Sequence, residues 1–251
     1  MKMKMNHIGS YWFSLVGLLE TIGKWPRPSA IELYVTFDGI TGLQNLVNNE
    51  NPTKSNKNAQ VEKTLKGPFG EPRSSFSSTE FLANYDGVTE MRYSFTISFY
   101  WLTAGNVTSG ILWAGPGRGT AIRMSFISTF RDFELHAHNA SKLGFINPPK
   151  AKAKLENVFE PHQWRFLSVA FESNSKTLQI YDETGHVLQR FDHFDLDQVH
   201  TERLALGQSA DANMDPSTAI ACVSVHNFPL KPDEIRQLPC TCQLKGKEIP
   251  L

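Results

Sequence analysis

The chain has no excess of either charge: 25 basic and 25 acidic side chains in 251 residues leave a formal net charge of zero. A dedicated nucleic-acid binder carries a basic surplus along its docking face, so nucleic acid is not an expected partner. No run approaches the roughly 18 consecutive apolar residues that a membrane-crossing helix needs, so no transmembrane segment is expected. Cysteine is scarce. The three, Cys222, Cys240 and Cys242, all fall late in the chain. Cys240-Thr241-Cys242 is too tight and too isolated for a zinc site with four ligands. Helix signals are scarcer still: only Pro232 to Leu238 reads as helical, with proline at a plausible first position and acids in the first turn. Without helices alternating with strands, a βαβ fold is not expected. A Gly-x-Ser-x-Gly elbow is missing. Gly115-Pro116-Gly117-Arg118-Gly119-Thr120 lacks the lysine and spacing of a phosphate loop and reads as a turn.

What the chain has in plenty is aromatic residues, 17 Phe, 6 Tyr and 5 Trp, which excludes a disordered chain. It also has a period of two. From Tyr93 the odd positions read Tyr93, Phe95, Ile97, Phe99, Trp101, while Ser94, Thr96 and Ser98 carry hydroxyls. That alternation predicts a long strand with one face buried and the other exposed. Shorter pieces repeat the pattern at Ile122, Met124, Phe126 and at Phe133, Leu135, Ala137. Trp164 to Phe171 shifts phase between Phe166 and Leu167, which predicts either a bulge or burial on both faces. Leu178 to Tyr181 and Val187 to Phe191 flank Asp182-Glu183-Thr184-Gly185 as a hairpin. Leu204 to Leu206 and Ile220 to Val225 complete the strands, and residues 48–58 read as a polar loop. The expected fold is an all-β, two-sheet antiparallel sandwich with one short C-terminal helix, in a length that a single domain accommodates.

The first 30 residues differ in character. Lys2 and Lys4 precede a short apolar stretch from Tyr11 to Leu19, which resembles a secretory signal, though no clean small-x-small cleavage site follows. A buried or disordered extension, or a misplaced start, is the alternative. Residues 1–30 are therefore read as a leader, 31–238 as the sandwich and 239–251 as a cysteine-containing tail. Asn106-Val107-Thr108 and Asn139-Ala140-Ser141 are glycosylation sequons if the chain is secreted. A disulfide from Cys222 to Cys240, or to Cys242, would pin the tail to the sheet and contribute about 3 kcal/mol. The alternative is a buried, reduced Cys222.

The order of these pieces resembles the concanavalin A-like lectin superfamily, in its animal laminin G-like and pentraxin-like branch. Phe37-Asp38-Gly39 resembles the opening signature. Gly70-Glu71-Pro72 through Phe81 resembles the stretch before the family's small residue and exposed strand. Tyr93 to Trp101 resembles the family's phenylalanine-threonine-isoleucine strand, and Gln163 to Phe171 its tryptophan-to-valine-alanine strand. Leu178 to Gly185, Leu204 to Gly207, Ile220 to Val225 and Leu230 to Ile235 follow in family order. The resemblance spans about residues 31–238 and implies a jelly roll of two curved sheets. Lys231 departs from the hydroxyl cap usual before Pro232, and the Asp182–Gly185 connection is longer than the family's turn.

Site candidates follow from residue chemistry. Asp211, Asn213 and Asp215 offer oxygen ligands at alternate positions, as calcium requires, and rim-loop acids bind calcium in the resembling family. A polar turn without an ion is the simpler reading of the same residues. Lys150, Lys152 and Lys154 alternate with alanines, so an extended strand would line up their ammonium groups for a sulfated glycan. Edge protection or solubility explains the same lysines. His136 and His138 share a face without evident further zinc ligands. Glycoside hydrolases on this fold carry Glu-x-Asp-x-x-Glu along one strand, and that pattern is missing. Glu172, Asp182 and Glu183 fall at turns or strand ends instead. The expectation is a non-enzymatic extracellular or cell-surface module that binds glycans or a protein partner, with calcium as an optional cofactor. A protein-adhesion fragment is the alternative and a divergent glycosidase a remote one.

Overall fold

A computed structural model describes residues 31–35, 53–54, 67–69, 83–86, 94–115, 122–139, 149–194, 196, 203–206, 215 and 217–239. The proposed leader, the calcium-loop residues Asp211 and Asn213, and Cys240 and Cys242 lie outside them. Among the described residues, thirteen strands form two sheets. One sheet has six strands, in the order β1 (Ile31–Val35), β13 (Ala219–His226), β4 (Phe95–Leu102), β9 (Trp164–Glu172), β10 (Thr177–Tyr181), β11 (Val187–Phe191). The other has seven, in the order β2 (Thr53–Lys54), β3 (Ala83–Asp86), β12 (Arg203–Leu206), β5 (Thr108–Gly115), β6 (Ile122–Thr129), β7 (Asp132–Asn139), β8 (Ala151–Leu155). Every pairing among them is antiparallel. Late strands lie between early ones, β13 between β1 and β4, and β12 between β3 and β5. These crossed connections make the sandwich a jelly roll. One short helix, α1 (Pro232–Ile235), follows β13. Residues 48–58 are not entirely loop, because Thr53 and Lys54 pair with Asn84 and Ala83.

The core between the sheets is what the period of two predicts. Phe95, Ile97, Phe99 and Trp101 meet Met124, Phe126, Phe133 and Leu135 from the opposite sheet, all fully buried. Phe99 packs edge-on against Phe126 and tilted against Phe133, with centroids 6.3 and 6.2 Å away. Such ring pairs contribute about 0.5–1.5 kcal/mol beyond the area they bury.

The hydroxyl face of β4 departs from expectation. Thr96 and Ser98 are buried, at 0% and 1% exposure, although the alternation predicts a face open to water. A second apolar cluster covers that face: Tyr100, Phe166, Ala170 and Tyr181 from the sheet, Leu230, Ile235 and Leu238 from the segment after β13. Buried hydroxyls persist only when bonded. Ser98 and Ser168 bond each other at 2.8 Å, while Thr96 donates to Phe228 O at 2.9 Å and accepts from Leu230 N at 2.8 Å. The phase shift in β9 has the same origin. Its pairings with β4 and β10 run without a register break, so both faces are buried and no bulge is needed.

The bulge lies in β13 instead, between Ala221 and Ser224, where Cys222 takes a left-handed φ of 50°. Ala221 and Cys222 consequently both join the outer cluster, while Val223 returns to the core. Cys222 is disulfide-bonded. Helix α1 lacks a hydroxyl cap. Glu234 compensates by reaching back, its Oε2 accepting from Lys231 N at 2.8 Å. The covering segment also clamps the β10–β11 turn, where Gly185 has φ 75° and a Cβ would come within 2.3 Å of Pro232 O. Only glycine fits there.

Candidate functional site

The lysine strip lies on β8, the edge strand of the seven-stranded sheet. Ala151, Ala153 and Leu155 turn toward the core, so Lys152 and Lys154 share the outer face, and both are exposed. Lys150 precedes the strand, its N–H donating to Ala137 O at 2.7 Å. Neither strand lysine stands alone. Lys152 Nζ is 2.9 Å from Glu134 Oε2, and Lys154 Nζ is 2.8 Å from Asp132 Oδ2 and 3.2 Å from Glu156 Oε1. Asp132 and Glu134 are alternate residues of β7, so their carboxylates and the lysines form a cross-strand ladder. Its exposed rungs contribute little stability, and they balance the strip's charge.

Glu134 is the buried member of the ladder. Burial alone would raise its pKa, but hydrogen bonds from Lys152 and His136 outweigh it and hold the carboxyl below the usual range. His136 Nε2 lies 2.9 Å from the same Oε2, and the His136 and His138 rings meet at 5.9 Å. Those histidines share a face, as the sequence predicts. Among the described residues no group of three His, Cys, Asp or Glu is arranged to hold a metal.

Of the calcium-loop residues only Asp215 is described. Its Oδ1 accepts from Ser217 N at 2.8 Å and from the Ser217 hydroxyl, and its carbonyl accepts from Thr218 N and Oγ1. Its own N–H donates to Ser109 Oγ at 2.8 Å, which ties the turn into β13 to strand β5. Two of the three acids weighed for hydrolysis are similarly engaged. Asp182 Oδ1 accepts from Thr184 N, Thr184 Oγ1 and His186 N at 2.9, 2.7 and 3.0 Å. Burial would raise Asp182, yet those bonds hold it below the ordinary carboxylate range. A general acid needs the reverse shift. Glu172 Oε2 accepts from Ser175 Oγ at 3.0 Å.

The end of the sandwich carrying the β4–β5, β6–β7 and β8–β9 connections holds Asn106, exposed in the first of them. Asn139 ends β7, away from that turn. The end with Asn106 also holds residues that the sequence does not single out. Phe130 is 58% exposed at the β6–β7 turn, and Arg131 beside it is paired with Glu160 of the β8–β9 connection. The signal for them was a two-residue gap, Phe130-Arg131, between alternating runs and without the Gly or Asn that such gaps favour.

With that geometry in place, solved structures give the comparison. Among the similar folds are receptor-binding domains of botulinum neurotoxins. The receptor-binding domain of the C/D mosaic serotype aligns at TM-score 0.62 and 13% identity, covering 87% of this chain and 52% of that one. A structure of type C, described as dependent for cell entry on interaction with two ganglioside molecules, aligns at 0.60 and 12%, covering 86% and 52%. The binding domain of botulinum neurotoxin DC in complex with rat synaptotagmin II aligns at 0.59 and 12%, covering 86% and 53%. This chain thus spans about half the length of the structures it matches, and at these identities the likeness is one of fold. No family model and no curated protein matches it.

Proposed function

We propose that this chain is a non-catalytic, extracellular recognition module of the concanavalin A-like, laminin G-like kind that binds glycans or a protein partner. The observation that carries this reading is the fold it shares, over 87% of its length, with the C/D mosaic receptor-binding domain. The related structures concern gangliosides and a synaptotagmin, one class of glycan and one protein. The engagement of Asp182 and Glu172 in turns supports a binding role over a hydrolytic one. With an extracellular setting go glycans on Asn106 and Asn139 and a Cys222–Cys240 disulfide. Calcium held by Asp211, Asn213 and Asp215 is the optional part of the proposal. The ion pairs of Lys152 and Lys154 favour a glycan of low charge over a heavily sulfated one, which would compete with Glu134 and Asp132.

A glycan array carrying gangliosides, neutral oligosaccharides and heparan sulfate fragments, read with calcium and again with EDTA, tests this. Binding is expected to a defined glycan class. Loss in EDTA assigns calcium a role, and loss in salt with survival in EDTA assigns the lysines one. Silence in every arm overturns the glycan reading and leaves protein adhesion.

A further inference from the structure

The loop end of the sandwich holds non-glycine residues in left-handed backbone at Phe130 (φ 57°), Asn157 (φ 53°) and His162 (φ 58°). Asparagine and histidine tolerate that region; a bulky aromatic does so only under strain. Phe130 occupies the first position of a two-residue turn between Thr129 and Asp132, which pair in register, a position glycine fills freely. Its ring is the one large hydrophobic group exposed among the described residues. The chain therefore holds an aromatic in a disfavoured conformation and presents it to water. Neither feature helps folding, and backbone strain retained on a surface marks function.

The mount beneath the ring is rigid. Phe130 N donates to Val107 O at 3.0 Å, Phe159 N to Arg131 O at 2.9 Å, and His162 N to Thr103 O at 2.8 Å. Asn157 N donates to Asp132 Oδ1 at 2.9 Å. Gly105, at φ 82°, lies so close to Pro161 that a Cβ would come 2.6 Å from its Cγ. Three connections are thus locked together, which lowers the ordering cost of binding. The charges at this end are matched, Arg131 with Glu160 and Lys154 with Asp132 and Glu156. Asn106, Thr108, Pro161 and His162 are exposed around it.

We propose that Phe130 is the stacking platform of a saccharide site that takes a neutral pyranose ring, with Arg131, Glu160 and His162 as its polar rim. The proposal rests on the glycan-recognition reading above and names its site. A sugar presents an apolar C–H face of about one ring's size and a hydroxyl edge, which suits one aromatic among matched polar groups. A protein hot spot sits within a wider desolvated patch. A membrane anchor needs more apolar area, or unmatched cations for anionic lipid. Among the described residues the ring has neither beside it.

The test uses the full chain carrying Asn106→Gln, so that no sugar borne on the neighbouring sequon competes for the ring. Phe130, Phe130→Gly and Phe130→Tyr forms are compared on an array of neutral oligosaccharides and by thermal melting. The Gly form is expected to lose at least tenfold in binding with its melting temperature unchanged or raised, because glycine suits the backbone there. The Tyr form is expected to retain binding. Equal binding by the Gly form overturns the site and leaves the recognition reading standing. No glycan bound by any form overturns both. A Gly form that melts several degrees lower makes the ring structural, and Phe130-dependent capture of vesicles or protein in place of sugar equally overturns the proposal.

Discussion

The two sheets turn different outer faces away from their shared core. On the six-stranded sheet that face is a floor of bonded hydroxyls, Thr96, Ser98 and Ser168, roofed by Leu230, Ile235 and Leu238. On the seven-stranded sheet it carries a ladder of charges, Asp132 and Glu134 against Lys154 and Lys152. Both faces carry polar side chains, and the roofed one adds Tyr100, Phe166 and Tyr181. They differ also in what lies above them. Ser and Thr are small and bond to backbone, so a crossing segment can settle on them. Lysine and glutamate keep their charged ends toward water and resist a roof.

Removing the roof's centre should have the largest effect. Ile235 is fully buried among Tyr100, Phe166 and Leu238. Ile235→Ala is expected to cost roughly 2–5 kcal/mol in urea denaturation. A cost below about 1 kcal/mol would mean the segment is a loose flap and the two faces are more alike than described.

Acid should distinguish the faces next. His226, fully buried at the end of β13 with its ring 5.8 Å from that of Phe228, has its pKa pushed down to about 3 by burial. The unfolded histidine takes a proton near 6.5. The neutral ring's contribution is therefore complete above about pH 6.5 and erodes as pH falls toward 3. The depressed carboxylates Asp132, Glu134 and Asp182 have ordinary values of 3.8 to 4.5. Their contributions fade only below that range, so the window from pH 6.5 to 5 isolates His226. Denaturation midpoints should decline through that window, and His226→Gln should flatten the decline. An unchanged slope in the variant would remove His226 from the account.

The smallest effect belongs to the ladder. Lys152 is half-exposed, and Glu134 keeps its His136 contact when the lysine is gone. Lys152→Ala should change stability by less than about 1 kcal/mol, and less still in high salt. A larger loss would show that the charged face is structural, as the roofed one is.

Much of the sandwich is legible in the sequence because a strand's period of two is written residue by residue, as in Phe95 to Trp101. The roof is not, because Thr96 meets Phe228 and Leu230 across more than 130 positions and nothing local announces it. Val223 and Ser224 read as continuous with Ala221, yet the bulge at Cys222 shifts them by one. The lysines were legible as a strip. Their partners Asp132 and Glu134 were not, since cross-strand register is a tertiary fact. Phe130 was hidden by being what a turn rarely contains.

The Thr96 hydroxyl has one more consequence, in time. It joins the second strand of a tightly paired trio, β13–β4–β9, to residues 132 and 134 positions later. Closing so long a loop is slow, and folding rates fall as such distant contacts accumulate. During synthesis β4 and β9 emerge and pair well before Phe228 exists, leaving the hydroxyl floor wet until residues 228–238 arrive. The roof is thus laid after the strands it covers, and until then that face is exposed to wrong partners.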